Sequence, residues 1–361
     1  MLLSLLLIAI GLILLVTGAD ALVSGASRIA QRFGIPPLIV GLTVVAFGTS
    51  APEIVVSTTA ALSGNSALAL GNVVGSNIFN VLLILGITAL ILPLVVNVSI
   101  IRQEVPVMIG FSILLMYFLR DAVLSAPESG ILLCLGVAYV LLLVFQAKRV
   151  SNLGESVDVD LPDATGWSAK LSATIAIVVG LIALVGGARL LVDGATNIAL
   201  SLGVDELVVG LTVVAIGTSL PEIAASVAAV LRGERDLAIG NVVGSNIFNI
   251  ALCLGLSGVL APSGLIAPKQ LLEFDLRVMV VAALVLLPVA FTGYVVSRIE
   301  GSVLLGWSIL YLLLTVLAAV TSPLYPGMLK IMVYGFLPLT CAYLMATVLS
   351  ALRGRGDIAK L

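Results

Sequence analysis

The chain has 361 residues, 61% hydrophobic and 10% charged, with a formal net charge of −2 and no histidine. Soluble domains carry roughly 25% charged residues, so lipid is the surrounding solvent, and the net negative charge excludes a binder that works by neutralising nucleic-acid phosphates. The absence of histidine removes imidazole metal ligands, histidine general bases and histidine proton relays.

A hydrocarbon core of about 30 Å takes about 20 helical residues. Eleven apolar runs qualify, at about 2–26, 36–62, 69–95, 105–119, 129–147, 171–192, 206–231, 238–261, 277–297, 302–321 and 327–351. Each reads as a helix, because backbone groups in lipid must be satisfied within the segment. The first run has the small residues of a secretory leader, Ala19 and Ala21, but no basic leading region, and it has a counterpart later in the chain. It is therefore kept as a span. The one long connection, Gln146 to Lys170, carries Glu155, Asp158, Asp160 and Asp163 and reads as a solvated acidic linker. Cys134, Cys253 and Cys341 lie in separate apolar runs and read as small core hydrophobes. With the N-terminus outside, 12 Lys and Arg fall at inner ends and 5 at outer ends. That bias predicts an inner-membrane protein with its C-terminus in the cytoplasm.

An internal repeat organises these runs. Residues 41–86 align without a gap on 210–255, identical at 31 of 46 positions, and GNVVGSNIFN stands verbatim at 71–80 and 240–249. The same offset of 169 carries 14–30 onto 183–199 with 10 of 17 positions identical. Each copy holds five runs, and an odd number makes the second copy enter the membrane from the opposite side. The predicted fold class is thus an all-α integral membrane protein of two inverted five-helix repeats plus one extra C-terminal transmembrane helix. Its segments are a first repeat at 1–147, the linker at 148–169, a second repeat at 170–321, and the extra helix with a basic tail at 322–361. Inverted repeats place equivalent residues face to face near the midplane, where secondary transporters keep their substrate site. That favours transport over enzymology.

Two acidic residues stand deep inside apolar runs, Glu53 in GTSAPE and Glu222 in GTSLPE. A carboxylate at the centre of a span costs about 3 kcal/mol on insertion scales, so a repeated one has a job. Pro52 and Pro221 weaken each helix beside its glutamate, and broken helices at membrane depth line ion sites. Ser50 and Glu53, like Ser219 and Glu222, are three apart and share a helical face. The second motif supplies a polar stripe, Asn72, Ser76 and Asn80, mated by Asn241, Ser245 and Asn249. Gly71, Gly75, Gly240 and Gly244 suit close helix approach, and Asn77 and Asn246 fit either a bridge between helices or the site. All these donors are hard oxygens, which suits calcium or sodium and disfavours softer metals.

GLTVVAFGTSAPE with GNVVGSNIFN, and GLTVVAIGTSLPE with GNVVGSNIFN, resemble the paired alpha-repeats of the sodium/calcium exchanger family of the cation/calcium antiporter superfamily. The resemblance implies a ten-span core with the second, third, seventh and eighth spans around the site and the first and sixth as long tilted helices that slide across it. It implies calcium held by the Glu53 and Glu222 carboxylates and the Thr49 and Thr218 carbonyls. Flanking sodium sites would use Ser50, Ser76, Ser219, Ser245 and the carbonyls of Ala46 and Ala215, with Asn80 and Asn249 completing the centre. Potassium-dependent relatives carry aspartate at one of those two positions, where this chain has asparagine. Calcium/proton exchangers of the superfamily, the alternative reading, usually carry a histidine in the second motif. The implied partners are calcium, sodium and lipid, with no nucleic acid, no resident cofactor and no obligate protein partner. Asp20 and Asp193 lie in the long tilted helices, at an interface or on a permeation path, and the eleventh span has no assigned task.

Overall fold

A computed structural model describes residues 2–152, 167–203, 215–291 and 293–358. The acidic stretch at 153–166 and the start of the expected seventh span, at 204–214, lie outside the described residues. In chain order the helices are α1 (Leu2–Phe33), α2 (Pro37–Thr49 then Ala51–Leu62), α3 (Ser66–Ile91), α4 (Ile100–Asp121) and α5 (Ala126–Asn152). They continue with α6 (Trp167–Ser201), α7 (Ala215–Thr218 then Leu220–Leu231), α8 (Arg235–Leu260), α9 (Leu271–Phe291), α10 (Arg298–Ala319) and α11 (Tyr325–Ser350). Among the described residues nine helices are long and apolar enough to cross a membrane, ten with the bent α2. The chain is a multi-span membrane protein.

α1 and α6 run 32 and 35 residues, beyond the 2–26 and 171–192 read from hydropathy. At 1.5 Å per residue each reaches about 50 Å, more than a 30 Å core needs, so both tilt or project. They pack antiparallel along most of their length, and glycine sets the distance. Gly11, Gly18 and Gly25, seven apart, meet Gly187, Gly180 and Ala173, and a Cβ on any of the three would come within 2.8 Å of the facing backbone oxygen. Small residues at this spacing let two backbones touch where lipid offers no hydrophobic drive. On α1, Asp20 accepts from Arg232 at the end of α7, its Oδ1 lying 2.8 Å from Nε. Asp193 is exposed.

Two short β-ladders join the helix connections, where the sequence predicted only helices. β1 (Leu94–Val95) pairs antiparallel with β4 (Val295–Val296), and β2 (Val123–Leu124) with β3 (Leu265–Ile266). β1 and β4 stop α3 at Ile91, short of Val95, and α9 at Phe291, short of 297, since chain leaving a helix must find other partners for its N–H and C=O groups, while α9 starts at Leu271 rather than 277. The core lies where α2, α3, α7 and α8 meet, and on α8 every residue from Leu237 to Phe248 is buried. α11 is the least buried span and touches α10 through Trp307, whose Nε1 donates to Thr340 Oγ1 at 3.0 Å beside the Phe336 ring.

Candidate functional site

Both sequence breaks fold alike. α2 breaks at Ser50 (φ −79°, ψ 2°) with a 45° bend, and α7 breaks at Ser219 (φ −87°, ψ 3°). Pro52 and Pro221, second in their new segments, have no N–H to return to the carbonyls four residues back, Gly48 and Gly217. Glu53 and Glu222 therefore fall in the first turn of a half-helix, whose positive end favours a carboxylate. Both are buried.

The two halves then interlock. Ser50 Oγ donates to Glu222 Oε1 at 3.4 Å, and Ser76 Oγ donates to Glu53 Oε1 at 3.4 Å. Ser219 Oγ donates to Ser76 Oγ at 3.3 Å. Thr49 Oγ1 donates to Asn241 Oδ1 at 3.1 Å and lies 3.5 Å from Ser245 Oγ. The three-residue spacing of Ser50 and Glu53 is thus not a local pair. At the bend the serine turns from its own glutamate to that of the other half.

Asn77 and Asn246 settle as bridges. Asn80 Nδ2 donates to Asn246 Oδ1 at 3.0 Å, and Asn249 Nδ2 donates to Asn77 Oδ1 at 3.1 Å. Each bond holds one amide nitrogen, so the carbonyl ends of Asn80 and Asn249 point elsewhere. A π-helical turn begins at each of these two asparagines, Asn80–Ile84 and Asn249–Leu254, and such turns re-aim side chains at functional positions. Four buried oxygens have no hydrogen-bond partner among the described residues at this locus: Glu53 Oε2, Glu222 Oε2, Asn80 Oδ1 and Asn249 Oδ1. They are two repeat-equivalent pairs. Buried polar atoms are nearly always bonded, and an unpaired one costs about 1–3 kcal/mol. Four acceptors together, with no donor, fit a cation that is held entirely by oxygen.

A supporting set fixes the broken helices. Asn72 Nδ2 donates to Ser57 Oγ at 2.9 Å and Asn241 Nδ2 to Ser226 Oγ at 2.9 Å, each also reaching the carbonyl of the glutamate in its half. Asn72 and Asn241, expected in the polar stripe, thus brace the glutamates from behind. Ser57 and Ser226 escaped the sequence reading, although they are buried, four residues past each glutamate and equivalent under the 169-residue offset. Cys253 is more than a core hydrophobe, since its Sγ donates to the Glu53 carbonyl at 3.2 Å.

The sodium/calcium exchanger protein family matches residues 3–147 and 172–317. The chain belongs to that family. The sodium/calcium exchanger MaX1 of Methanosarcina acetivorans is 34% identical over 340 residues, covering 85% of this chain and 97% of MaX1. The inner membrane protein YrbG of Escherichia coli is 41% identical over 273 residues, covering 73% of this chain and 81% of YrbG. Among solved structures, the sodium-calcium exchanger NCX_Mj superposes with a TM-score of 0.74 at 32% identity, over 85% of this chain and 96% of that one. Membership makes the chain a cation/calcium antiporter, a transporter and not an enzyme.

In this exchanger contacts pair Thr49 with Ser245, Ser50 with Glu222, Ser76 with Glu53 and Ser219 with Ser76, while Asn80 and Asn249 follow Ser76 and Ser245 by four residues, and all nine are buried. Thr218 is half-buried and lines a cavity of about 370 Å³ that also reaches Asn72 and Ser76. The Ala46 carbonyl is already engaged, by Ser50 N–H at 3.0 Å and Thr49 Oγ1 at 3.4 Å. Ala215 opens the short segment Ala215–Thr218, and its side chain lies outside the described residues.

Proposed function

We propose that this exchanger moves calcium against sodium across the inner membrane by alternating access through the one site between α2, α3, α7 and α8. Glu53 and Glu222 supply two negative charges, which match one calcium ion, and the orphaned oxygens of Asn80 and Asn249 complete a hard-oxygen shell. The backbone carbonyls of Thr49 and Thr218 join the calcium shell, and sodium ions take the same carboxylates with the hydroxyls of Ser50, Ser76, Ser219 and Ser245 and the carbonyls of Ala46 and Ala215. Because both ions need the same two carboxylates, they exclude each other. An unloaded site would leave two charges buried and uncompensated, so only a loaded site can cross between its outward and inward forms. Exchange rather than leak follows from that cost.

Two five-helix repeats of inverted topology account for the site, since each contributes one glutamate, one asparagine and two serines in mutually crossing contacts. α11 lies past residue 317, where the family match ends, and is an addition to a ten-span core. The N-terminus faces outward and the C-terminus the cytoplasm. The observation that carries this reading is the symmetric set of four buried oxygens with no donor. Calcium-45 uptake into sealed vesicles tests it. A sodium gradient should drive uptake and a pH gradient should not. Uptake driven by pH alone would assign calcium/proton antiport to the same glutamates, and flux without any counter-ion would overturn antiport.

A further inference from the structure

The 370 Å³ cavity holds a carboxylate, Asp275, that no part of the proposed exchange uses. Its lining runs from the starts of α3 and α9 and the end of α10, at Ala67, Gln270 and Thr315, down to Asn72, Ser76 and Thr218 beside the glutamates. It is therefore a vestibule between one face of the protein and the central site. Asp275 is the only charged residue among its described lining residues. The carboxylate is held in place, because Tyr311 Oη donates to Asp275 Oδ1 at 2.9 Å and the Tyr311 ring is clasped by Phe274, stacked at 6.0 Å, and by Phe79, edge-on at 6.0 Å. Phe79 directly precedes Asn80 in α3. The vestibule carboxylate is thus packed onto the helix that carries Ser76 and Asn80.

Asp275 ends the π-helical turn Leu271–Asp275 that opens α9, and this geometry has a counterpart in the first half. Glu104 ends the π-helical turn Ile100–Glu104 that opens α4, and Tyr139 Oη on α5 donates to its Oε2 at 2.5 Å. The two acid–tyrosine pairs differ in surroundings. Glu104 is buried at 3% exposure and lines no part of the cavity, while Asp275 is half-buried and does.

We propose that Asp275 is an outer cation site of the vestibule, at which an arriving calcium or sodium ion is held before it passes to Glu53 and Glu222. A single fixed negative charge in a narrow, low-dielectric cavity raises the local cation concentration and the rate of ion arrival. Tyr311 donates one hydrogen bond to Oδ1, and an ionised carboxylate has further acceptor lone pairs to offer an ion. The proposal rests on the central site described above. Glu53 and Glu222 fix equilibrium selectivity in this scheme, and Asp275 sets capture from one face.

The test is exchange measured in sealed right-side-out and inverted membrane vesicles, with calcium presented in turn to each face, in low-salt buffer and with added choline chloride. Asp275→Asn keeps an acceptor for Tyr311 and removes the charge. It should raise half-saturating calcium about three- to tenfold on the face bearing the α2–α3 connection, and the gap should close as salt screens the charge. Asp275→Glu should stay near wild type. Glu104→Gln removes the charge from the same kind of acid–tyrosine pair outside the cavity and should not reproduce the salt-dependent shift. Calorimetric calcium binding to the detergent-solubilised protein should be unchanged in Asp275→Asn. Equal impairment of Asp275→Asn and Asp275→Glu, a shift on both faces, or a shift indifferent to salt would each overturn the proposal. If the wild-type protein neither binds nor exchanges calcium, the central reading fails instead.

Discussion

The ten residues GNVVGSNIFN occur twice, and their two copies live in different surroundings. From Gly240 to Asn249 the second copy is wholly buried. A Cβ on Gly240 would stand 2.8 Å from the Leu38 carbonyl oxygen, and one on Gly244 would stand 2.8 Å from Ala46 Cβ and from the Leu42 carbonyl oxygen. In the first copy Gly71 is exposed, Asn72 and Gly75 are half-buried, and all three line the vestibule. No described atom outside their own helix lies within 4 Å of a Cβ on Gly71 or Gly75. Identical sequence with unequal packing is what one state would show under the alternating access proposed above. One copy is sealed against α2 while the other opens to a face, and transport would exchange the two environments.

The comparison breaks first at the glutamates, which are alike in burial and in the geometry of the break. Glu53→Gln and Glu222→Gln should each cut calcium-45 exchange by about 100-fold or more, since removing one member of a buried charge set costs about 3–5 kcal/mol. Retention of most flux by either variant would place the ion elsewhere.

The glycines sharpen it next. Gly240→Ala and Gly244→Ala must push backbone apart, at about 1–3 kcal/mol each, and should lower the thermal midpoint of the detergent-solubilised protein. Gly71→Ala and Gly75→Ala should leave that midpoint unchanged and slow maximal exchange, because those positions must close when the vestibule does. Matching thermal shifts in the two pairs would remove the asymmetry from the resting protein.

A smaller effect is expected at the bridging asparagines. Asn246→Ala frees the Asn80 amide, and Asn77→Ala frees that of Asn249. One lost hydrogen bond of about 1 kcal/mol should weaken calorimetric calcium binding roughly fivefold. Asn80→Ala and Asn246→Ala combined should weaken it less than their sum, because both act through one oxygen. Strict additivity would show that Asn246 does not work by aiming Asn80.

The hydroxyls give the finest test. Ser50→Ala, Ser76→Ala, Ser219→Ala and Ser245→Ala should each raise half-saturating sodium by about two- to fivefold, the worth of one ordinary hydrogen-bonding oxygen. Calcium/calcium exchange should stay near normal, since the divalent ion leans on the carboxylates. Equal losses in both assays would mean that the serines only shape the fold.

Much of this protein is written in local chemistry. An apolar composition calls for helices in lipid, and proline without an N–H weakens a helix where it falls, so the breaks at Ser50 and Ser219 and the burial of Glu53 and Glu222 follow from the chain alone. The internal duplication made the pairing of those glutamates legible as well. Tertiary packing decided which groups meet. Ser50 bonds Glu222 across 172 positions, Asn80 meets Asn246 across 166, and Tyr311 holds Asp275 across 36, and no helical spacing encodes such contacts. The vestibule pair also evaded the repeat, because the 169-residue offset carries Glu104 onto Glu273 and Tyr139 onto Ser308, two and three residues short of Asp275 and Tyr311. Nor could two identical decapeptides announce that one is sealed and the other open, since that difference lies in what packs against them.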